Sequence, residues 1–214
     1  MLTSSNGQYR SGNMNDGYVQ ILNSIASSSP TPGGGSVAAL SLAHAHSLAT
    51  MVSRLTLKSD KWSDGHDIAN QIVDQSDALI NESILLAKKD AAAFDSVMGA
   101  YRIPKSDGRS EAVREATIAA ALAPLETIYA ALKLLKQLLK LSSVCNANAL
   151  TDLAASCELA QSAAIIAQMN VRINTHYISG VDVDRIDSET ANAIVECDLT
   201  IHDLRATYTK RLGW

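Results

Sequence analysis

The sequence predicts an all-α fold, and three observations carry that prediction. Aromatic residues make up only 4% of the 214 residues although 47% are hydrophobic, so the core must be built from Ala, Leu, Ile and Val. That composition suits closely packed helices better than strands, which draw on aromatic and β-branched side chains. Apolar residues recur at spacings of three, four and seven, and no segment alternates convincingly with the period of two that a strand requires. The length fits one core, read as a single helical domain over residues 16–214 behind a polar, flexible arm of residues 1–15.

Six helices follow in order. The first is expected from near Asp16 to Ala26, with Tyr18, Ile21, Leu22 and Ile25 at helical spacing before a serine and proline cluster. The second starts at about Ser36 and reaches Lys58. From Gly33 to Leu57 its only formal charge is Arg54, so it should be surrounded by protein. A third, about Trp62 to Tyr101 and compatible with a break, stops at Pro104, and Ser106-Asp107-Gly108 offers loop and cap chemistry for a fourth.

The fourth runs from about Ser110 to Leu141, with a kink or interruption expected at Pro124, which lacks an N–H and clashes with the preceding turn. The fifth, from about Ala149 to Asn174, carries only Asp152, Glu158 and Arg172 as charges and also reads as buried. The sixth, Asp182 to Arg211, sets Ile186, Ala193, Ile194, Leu199 and Ile201 among charges, as an outer amphipathic helix does. The result is an antiparallel bundle with two buried central helices. Two helices apolar all round are hard to cover with four others, so a homodimer is expected.

Bulk properties exclude some functions. A net charge of -4 lacks the basic excess of a nucleic-acid-binding domain. Cys145, Cys157 and Cys197 are odd in number, widely spaced and without a CxxC pair, which argues against a disulfide framework or zinc site and for a reducing cytoplasm. The polar start MLTSSNGQYRSGNMNDG has no secretory pattern, and the low-charge stretches, rich in Ala, Ser, His and Asn, read as protein interior and not as membrane spans.

Candidate chemistry concentrates at a few positions. Gly33, Gly34 and Gly35 lack Cβ atoms and permit close approach of a ligand, while Ser36 is a good N-cap whose helix turns its positive end toward the loop. A tight turn with a cap explains the same residues. Asp90 falls on the apolar stripe Ile72, Leu79, Leu86, Phe94, Val97 and Tyr101, which gives either a carboxyl group tuned for acid–base work or a structural ion-pair residue near Lys88, Lys89 or Arg172. Asn170 and Asn174 share one face of the fifth helix, which Asp152 begins; they satisfy neighbouring groups or bind a ligand. His44 and His46, two apart, point in different directions, and no metal is expected.

Taken together, Ser29-Pro-Thr-Pro-Gly-Gly-Gly-Ser-Val-Ala-Ala-Leu40, Met51-Val52, Leu55-Thr56, Asp90-Ala-Ala-Ala-Phe94, Tyr101-Arg-Ile-Pro-Lys105, Pro124-Leu125 and Asn170-Val-Arg-Ile-Asn174 resemble the cyclodeaminase/cyclohydrolase family of folate enzymes. The resemblance covers about Asp16 to the C-terminus. It implies a helical homodimer binding a tetrahydrofolate derivative beside the glycine loop, with Asp90 as catalytic acid or base. It makes Lys105 and the loop, Gly33, Gly34, Gly35 and Ser36, grips for the substrate's polar or carboxylate groups, and the polar groups of the fifth helix, Asp152, Asn170 and Asn174, stand beside them as candidate substrate contacts from their own chemistry. His44, His46 and Arg54 depart from the family's second helix. Buried charges need partners or ligands, which adds His46 and Arg54 to the candidate substrate contacts.

The implied reaction lies at the 5,10-methenyl level. Cyclodeamination leads, with cyclohydrolysis as the alternative. One-carbon transfer to another small molecule and a non-catalytic folate- or partner-binding dimer are the further readings.

Overall fold

The structure, a computed structural model, describes residues 17–105 and 108–214. The expected N-terminal arm and the Ser106-Asp107 part of the expected cap lie outside the described residues. Within them the chain forms six α-helices and no strand: α1 (Tyr18–Ile25), α2 (Gly34–Leu57), α3 (His66–Tyr101), α4 (Arg109–Ser142), α5 (Leu150–Thr175) and α6 (Val181–Leu212). Short 3₁₀ turns at Asp60–Gly65 and Ala147–Ala149 lead into α3 and α5.

Helices α2, α3, α4 and α5 form a ring in which each packs on its two neighbours, and α6 lies in the groove between α4 and α5. The two helices expected at the centre, α2 and α5, do pack together. Small residues permit this: Ala38, Ala45 and Ala49 of α2 and Ala160, Ala163, Ala164 and Ala167 of α5 are fully buried. The Ser156 hydroxyl donates across that seam to the Ala45 carbonyl at 2.7 Å. Leu125, Ile128, Leu134, Leu135 and Leu138 of α4 complete the core, each worth about 1.5–3 kcal/mol in buried apolar surface.

The far end of α2 is tied down by Asn146, whose amide N–H donates to Thr56 Oγ1 at 3.0 Å and whose side chain donates to the Leu55 carbonyl at 3.2 Å. Among the described residues α4 alone is long and apolar enough to cross a membrane, and 61% of that apolar window is buried inside the bundle.

Three expectations are corrected. Of the two outcomes expected at Pro124, the interruption is overturned: helix α4 continues through it. Ser36 is not an N-cap: α2 starts at Gly34 behind Gly33, so Ser36 lies inside the first turn and turns its hydroxyl toward α3. Leu199 is 64% exposed, because the buried face of α6 passes through Cys197, Ile201 and Leu204 instead.

Candidate active site

Four helices supply the candidate site, all at the end of the ring where α2 begins. Pro30, Thr31 and the three glycines, Asp90 and Phe94 of α3, Ala120 of α4, and Asn170 and Asn174 of α5 line a cleft of about 340 Å³. The helices stop filling the ring here for a simple reason. Helix α2 starts level with Asp90, whereas α3 continues to Tyr101 and its antiparallel partners extend with it. Among the described residues no helix takes the fourth place in the ring beyond that level, and the glycine loop lines the cleft there.

Asp90 sits against the first turn of α2. Its Oδ2 lies 3.0 Å from the Ser36 hydroxyl, which is also 3.0 Å from the Ala87 carbonyl. That arrangement serves either protonation state. An ionised carboxylate accepts from Ser36, and a protonated one can donate to the Ser36 oxygen while Ser36 donates to Ala87. Burial pushes the Asp90 carboxyl above its ordinary value, and the Ser36 hydroxyl and backbone amide pull part of the way back. Among the described residues no cation pairs with Asp90; Lys89 is committed to Glu126.

The glycines divide the work differently from the sequence expectation. A Cβ on Gly35 would stand 2.0 Å from Asp90 Oδ1, so this glycine makes room for the carboxyl group and not for a ligand. Gly34 is exposed, and a Cβ there would meet only ordinary contacts, with Asn170 Nδ2 at 3.7 Å. Gly33 lies beside the Pro30 carbonyl and lines the cleft. Asn170 donates one amide hydrogen to the Ile166 carbonyl, and Asn174 donates to the Ala120 and Asn170 carbonyls. Both therefore hold their side-chain oxygens available as acceptors at the cleft.

Other candidates lie elsewhere. His46 is three turns along α2 and lines a separate cavity with Glu82, Ser83 and Lys133, about 5% exposed. Burial first and Lys133 second lower its pKa to about 4, which keeps the ring neutral. Arg54 is exposed near the C-terminal end of α2, about 27 Å along the axis from Ser36. Asp152 is a similar distance from Asn170 along α5, at the opposite end of the bundle. His44 is exposed and meets Tyr18, its Nε2 lying 3.3 Å from the phenol oxygen. Helix rise alone separates these residues from the cleft within one chain.

Lys105 lines a second, larger cavity of about 780 Å³, which adjoins the Asp90 cleft and shares Val97, Ile173 and Asn174 with it. Arg109, Arg114 and Tyr177 also line it. Sequence reasoning missed these three, although Lys105, Arg109 and Arg114 recur at near-helical spacing around the start of α4, a visible cationic cluster.

Comparison with known proteins finds relatives that match most of the chain. The chain is 31% identical over 165 residues to the methenyltetrahydrofolate cyclohydrolase of Methylorubrum extorquens, covering 75% of this chain and 79% of that protein. It is 28% identical over 155 residues to the formimidoyltransferase-cyclodeaminase of Rattus norvegicus, a match spanning 70% of this chain and 29% of the rat protein. The crystal structure of formiminotetrahydrofolate cyclodeaminase from Thermotoga maritima superposes with a TM-score of 0.79 at 27% identity, covering 92% of this chain and 95% of that one. The formiminotransferase-cyclodeaminase family model matches residues 18–192, and the chain belongs to that family.

Proposed function

We propose that this protein is a folate-dependent one-carbon enzyme working at the 5,10-methenyltetrahydrofolate level, with formiminotetrahydrofolate cyclodeamination as its reaction. The observation that carries the reading is Asp90, a partly desolvated carboxyl group at the cleft whose Ser36 partner accommodates both protonation states. The whole-chain likeness to a cyclodeaminase supports it.

The chemistry balances with one carboxyl group. Starting from the protonated 5-formimino group, N10 adds to the formimino carbon and a tetrahedral centre forms. Asp90 takes the N10 proton and returns it to the exocyclic nitrogen. The bond from carbon to that nitrogen then breaks, giving ammonia and the 5,10-methenyl cation. The free oxygens of Asn170 and Asn174 suit the N–H donors of a pteridine ring.

Methenyltetrahydrofolate cyclohydrolysis is the second reading, favoured by the Methylorubrum relative. There Asp90 takes a proton from water adding to the methenyl carbon and gives it to N5 as the carbon–N5 bond breaks, and the remaining hydroxyl proton leaves to solvent as the carbonyl of 10-formyltetrahydrofolate forms. Following methenyl absorbance with each substrate decides between them: gain with ammonia release supports cyclodeamination, and loss above the uncatalysed rate supports hydrolysis. Activity in neither direction would overturn both.

The reading includes a homodimer in a reducing, cytoplasmic setting. Its support is the uncovered stripe Ile165, Met169 and Ile173 on α5, with Met169 and Ile173 each 60% exposed, and three buried free cysteines.

A further inference from the structure

We infer that the groove between α3 and α4, floored by His46 of α2, is a second ligand site, separate from the Asp90 cleft, and that it takes an α-amino acid with a neutral side chain. The cavity there holds about 310 Å³, at the small end of the range for small-molecule sites. Helix α3 lines it with Leu79, Glu82 and Ser83, and α4 with Tyr129, Ala130 and Lys133, each set at helical spacing. His46 lies about 15 Å along the axis of α2 from Ser36, which keeps this site apart from the cleft.

A histidine buried where α2 packs on its neighbours carries a desolvation cost that a partner ordinarily offsets. His46 is 5% exposed. Among the described residues its imidazole has no hydrogen-bond partner; only its backbone carbonyl is engaged, accepting from the Thr50 hydroxyl. The ring lines the cavity, and burial together with Lys133 keeps it neutral, so it presents one N–H donor and one lone pair. The remaining polar groups divide into committed and free. Ser83 donates to the Leu79 carbonyl, Tyr129 donates to Glu189, and Glu126 pairs with Lys89. Glu82 and Lys133 are left: they carry opposite charges on opposite walls of one cavity, and among the described residues neither is in an ion pair.

That set is complementary to a zwitterion. Lys133 is the charged group that acts on His46, so its ammonium and the imidazole N–H converge on one carboxylate of the ligand. Glu82 then takes the ligand's ammonium. A simple anion would leave Glu82 facing like charge, and a simple amine would leave Lys133 doing so. Leu79, Ala130 and the Tyr129 ring offer apolar surface to the ligand's side chain, and no further uncommitted charge is there to hold a second ionic group.

The test uses no folate, so its outcome is separate from that of the folate reading. Histidine ring signals of the isotope-labelled protein are followed by NMR as L-alanine, L-serine, L-leucine and L-glutamine are added in turn, with acetate and ethylamine as single-charge controls. The His46 signal is the one missing from His46→Gln. At least one of the amino acids should move it saturably, with acetate and ethylamine binding about tenfold or more weaker. Glu82→Gln and Lys133→Gln, both at exposed positions on the rim, should each raise Kd about tenfold or more without lowering the melting temperature. A His46 signal that no amino acid moves, acetate or ethylamine binding as tightly as the amino acids, or rim variants that bind like the wild type would each overturn the inference.

Discussion

Gly35 and Asp90 occupy one another's space: a Cβ on the glycine would fall 2.0 Å from Oδ1 and 2.5 Å from Cγ of the aspartate. Gly35→Ala must therefore drive the carboxyl group off Ser36. We expect a loss of 100-fold or more in kcat, on the scale of general acid–base catalysis. Gly34→Ala, whose Cβ meets nothing closer than 3.7 Å, should fold normally and act mainly through KM. Steady-state kinetics on the pair check this; equal effects would refute the assignment of space.

Asp90→Asn should abolish most activity and raise stability. Burial raises the Asp90 pKa, so between its ordinary value and that raised value the native state holds a proton the unfolded chain has released. Stability contributed by this group thus falls as pH rises through that window. At neutral pH the amide variant, free of the desolvated charge, should melt a few degrees higher. Calorimetry that finds a lower melting temperature would contradict the desolvation argument.

Ser36→Ala removes the hydroxyl that pulls the Asp90 pKa down. The acid limb of the pH–rate profile should move to higher pH, with the protonated form of Asp90 persisting further. An unmoved limb would show that Ser36 does not set the ionisation of Asp90.

His46 predicts a pH-dependent stability unconnected with turnover. It faces Leu79, Glu82 and Ser83 of α3 and Glu126, Tyr129 and Lys133 of α4, and its pKa is lowered from 6.5 to about 4. The unfolded chain gains a proton first as pH falls, so stability should drop from pH 6.5 to about 4, by about 3 kcal/mol at most. Denaturant unfolding of His46→Gln should show a flatter dependence over that range.

The α5 stripe predicts an assembly. Ile165→Lys with Met169→Lys places charge on it, and light scattering should register half the mass of the wild type. A wild type that is already monomeric would remove the dimer from the functional reading.

How much of this was legible in the sequence follows from the kind of signal. Helix ends fell close to their observed places because periodicity and charge mark them locally. Asp90 was legible from its register on an apolar stripe, but Phe94 and Tyr101 of that stripe are 38% and 49% exposed and wall a cavity. Periodicity records a face without saying whether protein or ligand covers it. His46, Arg54 and Asp152 were grouped by chemical type, and only axial distance separates them from the cleft. The role of Gly35 depends on a contact 55 residues away in the chain, which no local pattern encodes.

The late start of α2 means that the cavity exists by omission. Its floor is a proline- and glycine-rich crossing rather than a packed layer, so insertions or deletions between Ser27 and Gly33 can change the reach of the site while leaving Leu42, Leu135 and Leu153 in place. Substrate length can thus diverge among relatives faster than the bundle itself, with loop length as the adjustable part and the leucine core as the constant one.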